Sequence, residues 1–157
     1  MAQAGGHLGD GCTGLGVRRD ISAPEEPRPI GLFDVTAPDS HHVHCLWCVD
    51  GEYAHLKTSM PGATPRNLAD DQFYVSVDVR DPTKPVEVGR WWIPGTLESD
   101  TEVPPERHTV FNAGFGAHNI NVYPQRPDRA YAAFKDGGVV ILDVSDMAHP
   151  KQVSRLD

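Results

Sequence analysis

The sequence predicts an all-β fold assembled from repeated four-stranded antiparallel units, and three observations predict it. The segments LFDVTAPDS (32–40), SVDVRDPTKPVEVGRW (76–91) and ILDVSDMAHPKQVSRL (141–156) read alike when aligned on Asp34, Asp78 and Asp143. In the last two copies a proline (Pro85, Pro150), a valine (Val88, Val153) and an arginine (Arg90, Arg155) follow at identical spacings, and Pro38 and Pro82 match between the first two. A second repeat precedes each complete copy, HVHCLWCVDGEYAHL from His42 and HNINVYPQRPDRAYAAF from His118. Finally, 15 glycines and 14 prolines beside a hydrophobic share of 39% point to short elements joined by many turns.

Taken in order, residues 1–27 match neither repeat; Gly-rich and then charged and Pro-rich, they read as a flexible arm. Residues 28–40 read as the outer part of one blade-like unit. Residues 41–94 form a complete unit, with strands expected near 42–49, 52–58, 72–79 and 86–93. A long connecting loop, 95–116, leads to a second complete unit, 117–157, with strands near 118–124, 129–134, 138–144 and 151–156. Asp50-Gly51 and Asp136-Gly137 fall between strand-like runs, where hairpin turns are expected. The run Val139-Val140-Ile141-Leu142 is apolar on consecutive residues, the mark of a strand covered on both faces. Pro82, Pro85 and Pro150 follow that third strand, where the chain turns and needs no ladder donor. Four antiparallel strands per unit with a buried third strand describe a propeller blade, and a blade needs neighbours to cover its faces. The expectation is an incomplete β-propeller.

The segments DVRDPTKPVEVGRWWIPG and GGVVILDVSDMAHPKQVSRLD resemble the LVIVD-repeat proteins, a family named for the strand that reads VVILDVSD here. The resemblance covers about 28–157 and implies a β-propeller, with little implied about activity. Family members carry enough repeats to close a ring. The resemblance therefore implies that further blades come from the same gene or from a homo-oligomer.

Composition bears on the function classes. With 14 basic against 22 acidic residues and a formal net charge of −8, the chain shows no basic footprint for nucleic acid or an anionic membrane. No stretch approaches the roughly 20 apolar residues of a membrane span. The amino terminus lacks the basic and apolar regions of a secretory signal, and Cys12, Cys45 and Cys48 do not suggest a disulfide framework. A cytoplasmic location is the expectation.

The densest chemistry lies in HHVHCLWC, 41–48. In a strand, His42, His44, Leu46 and Cys48 share one side and His41, Val43, Cys45 and Trp47 the other, so the two cysteines diverge instead of forming a zinc knuckle. His42 and His118 hold equivalent places at the start of the innermost strands. With His44 and with His108 from the long loop, they are the candidate ligands of a divalent transition metal at the propeller mouth. The bland reading is that such histidines hydrogen-bond backbone. Asp70 and Asp71 are candidate acids at the mouth, either an acid–base pair or ordinary solvated loop acids. Asp34, Asp78, Asp143, Pro85, Pro150, Arg90 and Arg155 recur between copies and read as structural, capping turns and closing strands. Of Trp91 and Trp92, one ring is expected to face inward and the other the surface. No nucleophile elbow, P-loop, dinucleotide fingerprint or HExxH helix is present. Two readings follow. One is a non-catalytic module binding a protein or small-molecule ligand at its loop-bearing mouth. The other is a metal-dependent enzyme centred on the histidines and acting on a small organic substrate.

Overall fold

The computed structural model describes residues 15–36, 43–59 and 61–156. Among them, ten strands form one two-stranded and two four-stranded sheets, all antiparallel. The strands are β1 (Leu15–Asp20), β2 (Arg28–Asp34), β3 (Cys45–Trp47), β4 (Tyr53–Thr58), β5 (Phe73–Asp78), β6 (Val86–Trp91), β7 (Ala117–Tyr123), β8 (Arg126–Phe134), β9 (Gly138–Asp143) and β10 (Lys151–Leu156). The middle sheet runs β3-β4-β5-β6 and the third runs β7-β8-β9-β10, each a meander of sequence neighbours. This is the blade arrangement of an incomplete β-propeller. The eight strands of these two sheets overlap the eight expected ranges. No helix among the described residues is long and apolar enough to cross a membrane.

The first sheet corrects the alignment. Asp34 closes β2 and pairs across the sheet with Leu15, whereas Asp78 and Asp143 close the third strand of their blades, just before a turn. Asp20 holds that place in the first sheet. Its Oδ1 accepts from Ser22 N at 2.8 Å, as Asp78 does from Arg80 N at 3.0 Å and Asp143 from Ser145 N at 3.0 Å. All three sheets share one bulge, where Arg18 pairs with Gly31 but Arg19 with Pro29, Ser76 with Gly89 but Val77 with Glu87, and Ile141 with Ser154 but Leu142 with Gln152. An extra residue on the fourth strand produces this skip and sharpens the twist there. Hence β1 and β2 are the third and fourth strands of a half-blade. Residues 15–20, expected in the flexible arm, are its first strand, and the range 28–40 catches only its second. Asp34 misleads because it caps a turn of its own, accepting from Thr36 N at 2.8 Å.

Two hydrophobic clusters fill the junctions. Val35 of the half-blade meets Leu56, Val75 and Val77 of the middle blade, and Tyr74 and Ile93 of the middle blade meet Ile120, Val122, Val140 and Leu142 of the third. Successive residues of β5 thus point into different cores, and the strand is buried on both faces. In β9 only one face is buried. Val140 and Leu142 point into the core while Val139 is exposed, since no described element covers its other side. Each fully buried aliphatic side chain contributes about 1.5–3 kcal/mol. The two tryptophans divide between the cores, Trp91 edge-on to Phe134 with centroids 5.3 Å apart and Trp92 edge-on to Phe73 at 6.4 Å. Both are half-buried, so neither is the surface ring that the sequence leads one to expect.

His55 lies fully buried at the junction of the middle and third blades, its Nδ1 2.8 Å from the Tyr74 hydroxyl. Its Nε2 has no hydrogen-bond partner among the described residues. Burial pushes the imidazole down to about 4 from an ordinary 6.5, against a weaker upward pull from Asp50. The unfolded chain therefore binds the His55 proton over a range in which the folded chain stays neutral. His55 then contributes nothing to the slope of stability above the unfolded value, and stability falls as pH drops through the window from about 6.5 to 4. The full loss is on the order of 3 kcal/mol. Urea unfolding at a series of pH values is expected to show this slope, and His55→Leu to flatten it between about pH 6.5 and 5. An unchanged slope in the variant removes the assignment.

Candidate functional site

In each meander the first strand begins, the second ends and the third begins at one end of the blade. The loops 59–72 and 92–116 therefore gather at that end, with His44, His118, Lys57 and Lys135. The turns joining β3 to β4, β5 to β6, β7 to β8 and β9 to β10 collect at the other. There a groove of about 560 Å³ runs between the blades, lined among others by Asp50, Tyr53, Asp128 and Asp146. These turn acids are occupied in holding backbone and neighbours. Asp50 Oδ1 accepts from Glu52 N at 2.8 Å and Tyr53 N at 3.0 Å, Asp146 accepts from Ala148 N at 3.1 Å, and Asp128 pairs with Arg126 and Arg129. At the loop end a smaller cleft of about 210 Å³ is lined by Lys57, Leu68, Ala69, Asp71, Gln72 and Lys135.

The wall of that cleft is rigidly built. A single 3₁₀ turn, Leu68–Asp70, is capped by Asn67, whose side chain accepts from Ala69 N at 2.9 Å. Asp70, the last residue of that turn, is buried. Its carboxylate takes the Arg107 guanidinium and, at 2.7 Å, the Phe115 N–H. Arg107 also lies over the Phe115 ring at 5.2 Å. The long loop is thereby tied down by the other loop. Asp100 orders its start, accepting from Trp92 Nε1 at 3.1 Å, Gly95 N at 2.8 Å and Leu97 N at 3.0 Å. Its end is fixed by Ala117 N donating to Gln72 O at 2.8 Å and Gly114 N donating to Asp136 Oδ2 at 2.9 Å. Asp71, also buried, accepts the Ser59 hydroxyl at 3.3 Å, and Gln72 Nε2 donates to Ser59 Oγ at 2.7 Å.

The predicted acids are therefore at the mouth but are not solvated. Asp70 is a loop clamp, and Asp71 forms part of the cleft floor. Of the predicted metal ligands, His44 and His118 meet edge-on with ring centroids 6.4 Å apart, and His42 lies outside the described residues. The charge of Lys57 lowers the His44 pKa most, followed by burial and by His118. His108 does not join them. Its Nδ1 accepts from Val110 N at 3.2 Å and Phe111 N at 2.9 Å, capping a turn of the long loop. Cys45 Sγ is engaged with Asn119 Oδ1 at 2.8 Å. Among the described residues no group of three or more His, Cys, Asp or Glu side chains is placed to hold a metal, and the described part of the predicted centre is this imidazole pair.

The recurrent residues sit where turns and outer strands need them. Asp78, held by Arg80 and its backbone N–H, is pushed down to about 2, and Asp143 is lowered by Ser145 in the same way. Pro85 and Pro150 directly precede β6 and β10. Arg90 pairs with Glu87 at 2.6 Å, and Arg155 is half-buried in β10 opposite Val140.

Sequence reasoning passed over Lys57, Lys135, Arg107 and Asp100. Lys57 has alanine at its place in the third blade (Ala133), so no repeat draws attention to it. The available signal was rarity, because the chain has only four lysines and two of them line this cleft.

Residues 127–157 match the LVIVD repeat family, a span covering all but the first residue of β8 and continuing through β10. A comparison with curated proteins returns no match.

Proposed function

We propose, from the premise that this chain carries an LVIVD repeat within a set of propeller blades, that it works as a binding module whose ligand sits at the loop-bearing mouth. One observation carries the reading. The two longest loops are fastened to each other through Asp70 and Arg107, and the shorter of them lines a cleft with Lys57 and Lys135 where two blades meet. A rigid scaffold presenting ordered loops at one end is the usual way a propeller offers a binding surface. Clefts at the junction of structural units are favoured ligand sites.

The test is a fragment screen by NMR on the full chain. Shifts are expected to cluster on Lys57, Leu68, Ala69, Gln72 and Lys135, and to weaken in Leu68→Trp, which adds bulk at an exposed position of the cleft lining. Shifts confined to the turn-end groove around Asp146 and Ala148 would place the ligand elsewhere and overturn the reading.

A further inference from the structure

Charge is unevenly spread over this chain. The whole carries a formal net charge of −8, yet two of its four lysines line one small cleft, with His44 and His118 close by at the same end. Neither Lys57 nor Lys135 forms an ion pair among the described residues, although ten arginines and four lysines share 22 acidic residues over the sequence. Asp71 reaches the cleft but also accepts from Ser59, and against the two ammonium groups it leaves one positive charge in excess.

Lys57 is half-buried, and its ammonium is held below the ordinary lysine range by burial first and by the charge of Lys135 second, with Asp71 and Cys45 pulling the other way. Two like charges at a partly dry junction raise each other's energy, and an anion between them removes both the repulsion and part of the desolvation penalty. The 3₁₀ turn and the strand ends fix the spacing of the stems, so little ordering remains to be done on binding. We infer that the ligand of the mouth carries an anionic group, a carboxylate or a phosphate, held between Lys57 and Lys135. This rests on the mouth being the binding site and adds the chemical class of what binds there.

The experiment is an NMR titration of the full chain with inorganic phosphate and with citrate at constant ionic strength, using sodium chloride as the reference anion. Saturable shifts at Lys57, Leu68–Gln72 and Lys135 are expected with phosphate, citrate or both, and which of them binds more tightly distinguishes phosphate from carboxylate chemistry. Lys57→Ala and Lys135→Ala are each expected to weaken binding roughly ten-fold, while Lys57→Arg retains most of it. Lys135 is exposed and Lys57 half-buried, and an unchanged unfolding midpoint shows that a variant is folded. If neutral fragments shift these residues and neither anion does so beyond chloride, the anionic class is wrong while the mouth remains a binding site. If no probe of either kind acts at the mouth, both readings fall.

Discussion

Gly89→Ala is expected to destabilise the chain by about 3 kcal/mol, and Gly89→Val by more. Gly89 sits in β6 opposite Ser76, where the fourth strand of the middle blade meets the turn of the third. A β-carbon built there lies 2.2 Å from Met147 O and 3.0 Å from both the carbonyl carbon and oxygen of Ala148. All three are backbone atoms, so no side chain can swing away. The turn is also held from below, because the Ser76 hydroxyl donates to Met147 O at 2.8 Å. Substitution therefore pushes two blades apart along a junction that contains most of the larger hydrophobic cluster. The half-blade repeats the arrangement, with a β-carbon on Gly31 only 2.1 Å from Pro82 O. Ser154 holds the equivalent place in β10 and is exposed, so Ser154→Gly serves as the control and is expected to change stability by less than about 1 kcal/mol. Urea unfolding of the three variants measures this directly. A Gly89→Ala chain as stable as the parent would mean that the blades do not meet as described.

Asp70→Ala is expected to cost about 3–5 kcal/mol and to release the long loop. The carboxylate is buried, and it is the common partner of the Arg107 guanidinium and the Phe115 N–H, drawn from two points of the segment 92–116. Removing it strands a partly buried cation and a buried backbone donor together, which is why the loss exceeds that of an exposed ion pair. Asp70→Asn, which keeps an acceptor for Phe115 N–H but loses the charge, is expected to fall between the parent and the alanine variant. Hydrogen exchange supplies the second readout. Amides of 94–116 are expected to exchange faster in Asp70→Ala, while those of β8 and β9 change much less. A loss below about 1 kcal/mol with an unchanged exchange pattern would show that the loop is held by other bonds.

The two cases differ in how visible they were beforehand. Gly89 lies inside a recognised repeat, yet its close approach to Met147 depends on a residue in the next blade. Asp70 was noticed as a loop acid, but its partner Arg107 lies 37 residues further on and carries no motif. The lysine cleft was less visible still. Lys57 and Lys135 belong to different blades and hold unrelated repeat positions, so only the assembled junction brings them together. His118 was legible as a strand-start residue, but its expected counterpart was His42; the register, with Leu46 opposite Leu56 and Ile120 opposite Ala132, makes His44 the equivalent residue, and adjacent blades bring the two side by side. The error over Asp34 has the same root. An aspartate followed by valine and a self-made turn looks the same locally whether it closes a third strand or a fourth.

What could be read from residues alone was everything governed by near neighbours: alternation along strands, the aspartate-capped turns, the prolines before the outer strands, and hence the meander of each complete blade. These features depend on backbone sterics and on hydrogen bonds spanning two or three residues, so a short window of sequence contains their causes. Which blade face meets which, the identity of Asp20 as the true counterpart of Asp78, the clamp on the long loop and the cationic cleft emerged only when the sheets were stacked. Their causes are contacts between residues tens of positions apart, and such contacts exist only once burial has chosen a packing.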